Sequence, residues 1–156
     1  MLEIEVPGRG VYRLRHLVLD VNGTLAVGGE VGPGVVERVL SLRSVLTVHM
    51  LTADTRGRQA ALDARLGFRA SRIAPGDEAA QKAAFVRELG AAEVCAVGNG
   101  ANDAAMLREA AFAIAVLGDE GLAVETLLAA DVVVPHVAAA LDLLLHPVRL
   151  VATLRR

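Results

Sequence analysis

Three polar segments, each directly after an apolar run, carry the residues that could do chemistry. They are residues 20–24, 52–55 and 98–103. A carboxylate at the end of a strand can attack phosphorus or bind a hard cation, and Asp20 begins the first segment. A glycine-containing turn such as Asn22-Gly23 exposes backbone amides to an anion. These residue types suit phosphoryl chemistry, with Asp20 as the candidate for either role.

The rarest polar residues of the chain fall in or beside the same segments. The chain has 15 arginines but a single lysine, Lys82, and only three asparagines, Asn22, Asn99 and Asn102. Where a chain mostly avoids two residue types, the positions that keep them are informative. We therefore expect these side chains to share one site with Asp20.

Each of these groups has a role in binding a phosphoryl group. We expect the Thr52 hydroxyl, the Lys82 ammonium and the backbone amides of residues 21–23 to neutralise its oxygens. A second acid, Asp103, is expected to help Asp20 hold Mg²⁺. The predicted catalytic residues are Asp20, Asn22, Thr52 and Lys82. The predicted phosphate-binding set is Asp20, Val21, Asn22, Gly23, Thr52 and Lys82.

Hydrophobic periodicity predicts a β-hairpin over residues 1–14 and then strands alternating with helices over 15–145. The predicted strands are 17–19, 45–51, 72–74, 93–97, 112–116 and 131–134. The predicted helices are 35–42, 56–66, 77–89 (with Asp77 as N-cap), 102–110, 121–129 and 137–145, with a break at Pro147 and a final turn over 149–156. This alternation indicates a doubly wound, Rossmann-like parallel α/β sheet, in which ligands bind at the carboxyl ends of the strands. Without a linker or repeat, we expect one domain over residues 1–156.

Composition argues against several other classes of protein. A chain of 156 residues allows one compact domain. A net charge of −2, with 22% charged residues, does not suit a nucleic-acid partner. Aromatic residues make up 3% of the chain and tryptophan is absent, so base-stacking side chains are scarce.

The same reasoning gives expectations about the compartment. The single cysteine, Cys95, lies in an apolar run and is expected to be a buried structural thiol. The first seven residues carry acids within their apolar stretch, unlike a signal peptide. Four acids interrupt the apolar region 110–135, so it does not have the pattern of a membrane span. We expect a cytoplasmic protein with no membrane partner.

Taken together, the polar segments resemble the four motifs of the haloacid-dehalogenase (HAD) superfamily. Residues 20–25, Asp-Val-Asn-Gly-Thr-Leu, are similar to its first motif, D-x-D-G-T-L. Thr52 and Lys82 match the second and third motifs, and residues 98–107 are similar to the fourth, G-D-G-x-N-D-x-x-x-L. The resemblance implies a Mg²⁺-dependent hydrolase, a phosphatase or phosphotransferase, that acts on a small phosphorylated molecule through an aspartyl-phosphate on Asp20. The metal ligands that it implies are Asp20, the Asn22 backbone carbonyl, Asn99 and Asp103.

Two acids of the family pattern are amides in this chain. Asn22 stands where HAD phosphatases carry the aspartate that protonates the leaving group and then activates water. An amide cannot cycle a proton near neutral pH, so a factor of roughly 10²–10⁴ in rate is expected to be missing. Asn99 stands where an aspartate binds the metal, and an amide oxygen brings no charge. We therefore expect slow hydrolysis and weakened Mg²⁺ affinity.

Within the superfamily, the nearest likeness is to the phosphorylation domain of P-type ATPases. Residues 50–56, the helix that bears Lys82 and residues 129–134 are each similar to segments of those pumps. Only 27 residues separate Thr24 from Thr52, too few for a nucleotide-binding domain. The chain therefore resembles a capless relative of this group. Capless members often assemble, so a homo-oligomer is expected, with the hairpin and residues 28–34 as candidate contacts.

Other interpretations of these residues stay open. The same pocket would suit a phosphate-binding or phospho-accepting regulatory protein with poor turnover, and the two amides favour that alternative. A response-regulator receiver also uses Asp, Thr and Lys in this order, but it needs an acid pair on an earlier strand. Only Glu3 and Glu5, in the hairpin, precede Asp20. Asp54 either assists the metal or caps the following helix. The four histidines lack metal-ligand spacing and are expected to be ordinary.

Overall fold

The computed structural model describes residues 1–53 and 57–156. Its strands are β1 (Leu2–Val6), β2 (Gly10–Leu14), β3 (His16–Asp20), β4 (Thr47–Thr52), β5 (Ser71–Arg72), β6 (Val94–Gly98), β7 (Phe112–Val116) and β8 (Val132–Val134). Its α-helices are α1 (Val35–Leu42), α2 (Gln59–Leu66), α3 (Glu78–Glu88), α4 (Ala104–Glu109), α5 (Val124–Leu127), α6 (Val137–Leu145) and α7 (Pro147–Leu154). Short 3₁₀ turns over Ala91–Glu93 and Ala101–Asp103 precede β6 and α4.

Six parallel strands form the main sheet in the order β5-β4-β3-β6-β7-β8. The chain first moves outward from β3 to β5 and then returns to place β6 on the other side of β3. The strand order therefore reverses between β3 and β6, which is the point where ligands bind in open parallel sheets. The predicted doubly wound α/β sheet is confirmed.

Alternate side chains of the central strands pack on opposite faces of the sheet. On β3, Leu17 and Leu19 join the cluster beneath α1, α2 and α6, while Val18 joins the cluster beneath α3 and α4. On β6, Cys95 and Val97 repeat the pattern on the first face. The strands are buried on both faces because helices cover both, which explains their continuous apolar sequences.

The predicted N-terminal hairpin is present as a separate two-stranded antiparallel sheet of β1 and β2. The Arg9 guanidinium lies 2.9 Å from a carboxylate oxygen of Asp131, just before β8. The other Asp131 oxygen accepts a hydrogen bond from the Ala113 amide. At the C-terminus, the Arg156 amide donates to the Pro7 carbonyl of the hairpin turn. These contacts tie the hairpin to the end of the chain and to the β8 side of the sheet.

Several predicted boundaries are wrong, for local reasons. The helix predicted from residue 121 begins at Val124, because Gly121 has a φ of 85° and ends a turn instead. The break predicted at Pro147 lies at His146, and Pro147 begins α7, since proline suits the first turn of a helix. Asp77 is the N-cap residue of α3, but its backbone is left-handed and its side chain makes no capping bond.

Strand β4 begins at Thr47, two residues later than predicted, because the Val45 and Leu46 amides still donate to the Leu42 carbonyl at the end of α1. The predicted start of the second helix, at Arg56, lies outside the described residues, and α2 begins at Gln59. Within the described residues, no single helix is long and apolar enough to cross a membrane. Only α6 and α7 together reach that length, and they bend by 100° where they meet.

Candidate functional site

Three neighbouring strands deliver the candidate site residues to one edge of the sheet. Asp20 is the last residue of β3, Thr52 the last of β4, and Gly98 the last of β6. Because β4 and β6 flank β3 in parallel register, these strand ends lie side by side. Asp54, expected to assist the metal or to cap a helix, lies outside the described residues.

A buried lysine lies between two carboxylates at the centre of this edge. The Lys82 Nζ, from the second turn of α3, donates to Asp20 Oδ1 and to Asp103 Oδ1, each at 2.7 Å. The side chain of Lys82 is 2% exposed, and those of Asp20 and Asp103 are 5% and 0% exposed. Three charged groups are therefore removed from water together, and their mutual contacts offset part of the desolvation cost.

The electrostatics of the cluster follow from this burial. Burial and the neighbouring charge of Asp103 raise the pKa of Asp20 from 3.8 to about 7, although Lys82 and a hydrogen bond from Thr24 act in the opposite direction. Burial by itself would lower the pKa of Lys82, but the two carboxylates outweigh it and the pKa is raised. The lysine therefore stays cationic, and near neutral pH the Asp20 carboxylate takes up or loses a proton.

Thr24 contacts the nucleophile candidate, and the sequence interpretation did not include it in the site. Its buried hydroxyl lies 3.0 Å from Asp20 Oδ2 and 2.9 Å from Asn99 Oδ1. A hydroxyl donates one hydrogen, so these two oxygens converge on a single donor. The signal that could have revealed Thr24 is its place four residues after Asp20, in the segment that resembles the first HAD motif.

The loop after β3 holds fewer free amides than its sequence suggested. The Val21 amide donates to the Leu51 carbonyl and the Gly23 amide to the Ala26 carbonyl. Within the described residues, only the Asn22 amide of these three has no acceptor. The Asn22 side chain is exposed and its Nδ2 donates to Thr52 Oγ1 over 3.2 Å.

Asn99 and Asp103 organise the loop after β6. One Asp103 oxygen, Oδ2, accepts from the Asn99 amide at 2.9 Å and from the Gly100 amide at 3.0 Å. The Asn99 side chain turns its oxygen toward Thr24 and donates from Nδ2 to the Gly121 carbonyl at 3.2 Å. Both Asp103 oxygens are therefore committed within the protein, while the Asn99 oxygen shares one hydrogen with Asp20. Asn102 lies beside the site, where its side chain donates to Glu78.

The oxygen atoms at this edge fit a hard divalent cation. Asp20 Oδ2 and Asn99 Oδ1 converge on the Thr24 hydroxyl, and hard cations take carboxylate, amide and carbonyl oxygens. The charge supply is small, because Asp20 and Asp103 share one lysine. Among the described residues, no group of three or more His, Cys, Asp or Glu side chains is placed to hold a metal ion.

An open groove of about 710 Å³ leads to this edge. The loop after β3, residues 28–31 and helix α2 form its walls. Charged side chains of both signs line it, namely Glu30, Arg58, Arg65 and Glu120. The groove gives a small molecule access to the region around Asn22 and Gly23.

Other sequence expectations concern residues away from this edge. Cys95 is fully buried on β6, and burial raises the pKa of its thiol, as expected of a structural cysteine. His16 begins β3 and His49 lies within β4, away from the strand ends that carry the site, with 3.1 Å between Nδ1 of the first and Nε2 of the second. The ring of His49 also packs edge-on against Phe85.

The sequence of the chain is similar to that of an archaeal protein. No protein-family model matches the sequence. The chain is 48% identical over 63 residues to an uncharacterized protein of Methanocaldococcus jannaschii, which covers 40% of this chain and 68% of that protein. The two chains belong to one family.

Similar solved structures include three kinds of protein. A protein from Streptomyces avermitilis described as a HAD family hydrolase has a TM-score of 0.62 at 24% identity, over 78% of this chain and 76% of that one. The 3-deoxy-D-manno-octulosonate 8-phosphate phosphatase of Moraxella catarrhalis, in complex with magnesium, phosphate and KDO, has a TM-score of 0.62 at 20% identity, over 91% and 94%. The catalytic domain of the CPx-ATPase CopB has a TM-score of 0.61 at 21% identity, over 73% of this chain and 45% of that one.

These likenesses extend over most of the chain. At sequence identities of 20–24%, these likenesses establish the fold alone. The chain has the fold of the haloacid-dehalogenase superfamily.

Proposed function

We propose that this chain is a cation-dependent phosphatase or phosphotransferase that acts through an aspartyl-phosphate on Asp20. The observation that carries the proposal is the contact of the buried Asp20 carboxylate with Lys82, at the edge where Thr24 and Thr52 also lie. Such an arrangement holds a nucleophilic oxygen beside groups that neutralise negative charge, which is what phosphoryl transfer requires.

In the proposed reaction, an Asp20 carboxylate oxygen attacks phosphorus while the bond from phosphorus to the leaving oxygen breaks. The Lys82 ammonium lies 2.7 Å from Asp20 and is placed to neutralise the transferring oxygens. The Thr52 hydroxyl and the Asn22 amide, which has no acceptor among the described residues, add hydrogen-bond donors. A water molecule then attacks the aspartyl-phosphate and releases phosphate, which regenerates the Asp20 carboxylate.

The proposed cofactor is Mg²⁺, held by Asp20, the Asn22 carbonyl and Asn99, with Asp103 behind them. When bound, the cation would neutralise charge on the phosphoryl oxygens. Two oxygens already converge at Thr24, which supports this assignment. Because Asn99 brings no charge, we expect weaker cation binding than a site with three carboxylates would give.

We propose that turnover is slow, because the side chain of Asn22 ends in an amide and not in a carboxyl group. Asn22 donates a hydrogen bond from its amide nitrogen to Thr52, but an amide is too weak an acid to transfer a proton to a leaving group. The leaving group must then take its proton from water. We infer that substrates with good leaving groups are favoured over sugar or alcohol phosphates.

The proposed substrate is a small phosphorylated molecule. The open groove beside Asn22 supports this, as does the phosphatase neighbour that was solved with magnesium, phosphate and KDO. The two arginines of the groove, Arg58 and Arg65, are seven residues apart along the same helical region and suit a second anionic group on the substrate.

A second candidate function is a phosphate-binding or phospho-accepting regulatory protein. The specific observation in its favour is that both Asn22 and Asn99 are amides at the candidate site. A receiver domain is disfavoured, since Glu3 and Glu5 lie exposed on β1, in a sheet of its own rather than beside Asp20.

The experiment that tests the proposal measures phosphate release from a panel of phosphorylated metabolites and an aryl phosphate, with and without Mg²⁺. We expect release that requires both Mg²⁺ and Asp20. The variant Asp20→Asn removes the nucleophile. The matched control is Asp77→Asn, at the exposed N-cap residue that precedes α3, outside the site. Release that persists in Asp20→Asn would contradict the proposal. Phosphate binding without any release would favour the regulatory alternative.

We also propose that the whole chain acts as one unit and that copies assemble, with the hairpin and the loop over residues 28–34 in contact. That loop lines the groove, so a neighbouring copy would cover the opening of the site. Light scattering that shows a monomer at micromolar concentration would remove this part of the proposal.

A further inference from the structure

The loop between β7 and α5 is fastened to the candidate site by hydrogen bonds to motif-like residues. Asn99 Nδ2 donates to the Gly121 carbonyl at 3.2 Å, and the Ala123 amide donates to the Asn99 carbonyl at 3.0 Å. One turn later, the fully buried Thr126 donates from its hydroxyl to the Gly100 carbonyl at 2.6 Å. Residues 118–123 are therefore held against the loop that follows β6.

This fastening brings the Glu120 carboxylate over Gly23. A Cβ atom built on Gly23 would lie 2.6 Å from Glu120 Oε2 and 3.2 Å from both polar atoms of the Asn99 side chain. Gly23 also has a φ of 85°, so the position suits glycine for its backbone and for its lack of a side chain. The Glu120 carboxylate and the Asn99 amide thus share the space that a side chain at residue 23 would fill.

The Asn99 side chain links two groups of oxygens. Its Oδ1 meets Asp20 Oδ2 at the Thr24 hydroxyl, and it lies with Glu120 Oε2 beside Gly23. Within the residues that the structure describes, Glu120 makes no hydrogen bond or ion pair. Its carboxylate is therefore uncommitted, whereas both oxygens of Asp103 are already used.

We propose that Glu120 supplies to the bound cation the negative charge that Asn99 lacks. The proposal rests on the proposed function, because it concerns the same cation site. It gives Asn99 a positioning role: its amide nitrogen donates to the Gly121 carbonyl, which a carboxylate at residue 99 could not do. With Asn99 in place of an aspartate, the site has one negative charge fewer. The same Asn99 amide holds in place the loop that carries the Glu120 carboxylate.

A solvated loop carboxylate with no role is the alternative, and cation affinity separates the two. Isothermal titration with Mg²⁺ is carried out on the wild-type chain, on Glu120→Gln and on Asp119→Asn. The last is the matched control, since it removes the same charge from the neighbouring, exposed position of the same loop. We expect Glu120→Gln to weaken Mg²⁺ binding by about 10-fold or more, as loss of a partner near a metal commonly does, and Asp119→Asn to weaken it by less than about twofold.

A fourth variant carries the negative charge at residue 99 and no longer at residue 120. Asn99→Asp combined with Glu120→Gln restores a carboxylate at residue 99, and we expect it to recover most of the lost affinity. Circular dichroism of each variant verifies that the chain remains folded.

The outcomes distinguish this inference from the function on which it rests. A wild-type chain that binds no Mg²⁺ would overturn both. A wild-type chain that binds Mg²⁺ while Glu120→Gln binds equally well would overturn the role of Glu120 and leave the cation site in place. Equal losses in Glu120→Gln and Asp119→Asn would reduce the effect to general loop charge and would also overturn it.

Discussion

Lys82 affects both the charge balance of the buried cluster and the environment of the Asp20 carboxylate. Its ammonium pairs with Asp20 and Asp103 in a region where an unpaired charge would be very costly, and it keeps the Asp20 carboxylate beside a positive group. The three groups together still carry one excess negative charge when all are ionised. Burial first, and the charge of Asp103 second, raise the pKa of Asp20 to about 7, and the single lysine offsets only part of this.

The raised pKa of Asp20 predicts a dependence of stability on pH. Asp20 ionises near 3.8 in an ordinary environment and near 7 in the fold, so the folded chain binds a proton that the unfolded chain has lost between these values. Stability from this group is complete below about pH 4 and is lost as the pH rises to about 7, by up to about 1.4 kcal/mol per pH unit.

Denaturant unfolding at pH 5 and pH 8, without divalent cations, measures this effect. We expect the wild-type chain to lose stability over this interval relative to Asp20→Asn, which cannot ionise at residue 20. Equal pH dependence of the two proteins would show that Asp20 has an ordinary pKa.

Asn22→Asp is expected to raise the rate of phosphate release. The new carboxyl group could protonate the leaving group and then activate water, which contributes roughly 10²–10⁴-fold where it is well placed. Steady-state phosphate release measures the gain. Asn22→Thr, which removes the amide and adds no acid, is the control, and a similar gain in both variants would exclude proton transfer as the cause.

The sequence was sufficient to predict that Asp20 and Thr52 lie at one edge, because the carboxyl ends of parallel strands meet there, and that Lys82 reaches this edge from its helix. The sequence was insufficient to predict that Glu120 lies beside the site, since glutamate is common in loops and no motif near residue 120 distinguishes it. The approach of Glu120 to Gly23 depends on hydrogen bonds that Asn99 makes to a loop more than 20 residues away.

Among the secondary-structure elements, the strands were easier to predict than the short helices. β6 and β7 are continuous apolar runs buried on both faces, a pattern that periodicity detects. Helix α5 has only four residues, and its start depends on the left-handed turn at Gly121, so the boundary could not be read from helical periodicity. The predicted bounds of helix α6, Val137–Leu145, agree with the structure. Because its apolar face packs on the sheet, the helical pattern was visible in the sequence.

Asp131 links three elements, which gives a stability prediction. It accepts hydrogen bonds from Arg9 of the hairpin turn and from the Ala113 amide of β7, and both charged side chains are less than a quarter exposed. We expect Asp131→Ala to destabilise the fold by about 1–3 kcal/mol, mainly because the amide of a central strand loses its partner. Thermal or denaturant unfolding measures the change.

The control for this variant is Asp119→Ala, which removes an exposed aspartate that makes no hydrogen bond within the described part of the chain. A loss of less than about 0.5 kcal/mol is expected there. If Asp131→Ala were equally mild, the hairpin and β7 would not depend on this carboxylate.

Over the whole molecule, the candidate site lies where the two halves of the sheet meet. Strands β3, β4 and β5 lie on one side of the switch point and β6, β7 and β8 on the other, so Asp20 and Asn99 come from different halves. Helix α3, which carries Lys82, makes the crossover between these halves. The site therefore forms only when the whole sheet is assembled, and the fold itself supplies the alignment of Asp20, Lys82 and Asp103.

The central claim is that Asp20 accepts a phosphoryl group, and intact-mass spectrometry tests it most directly. The wild-type chain, Asp20→Asn and the control Asp77→Asn are incubated with Mg²⁺ and acetyl phosphate, a small phosphoryl donor. We predict that the wild-type chain and the control each gain the mass of one phosphoryl group, that hydroxylamine removes it, and that Asp20→Asn gains none. An unlabelled wild-type chain, or equal labelling of Asp20→Asn, would contradict the claim.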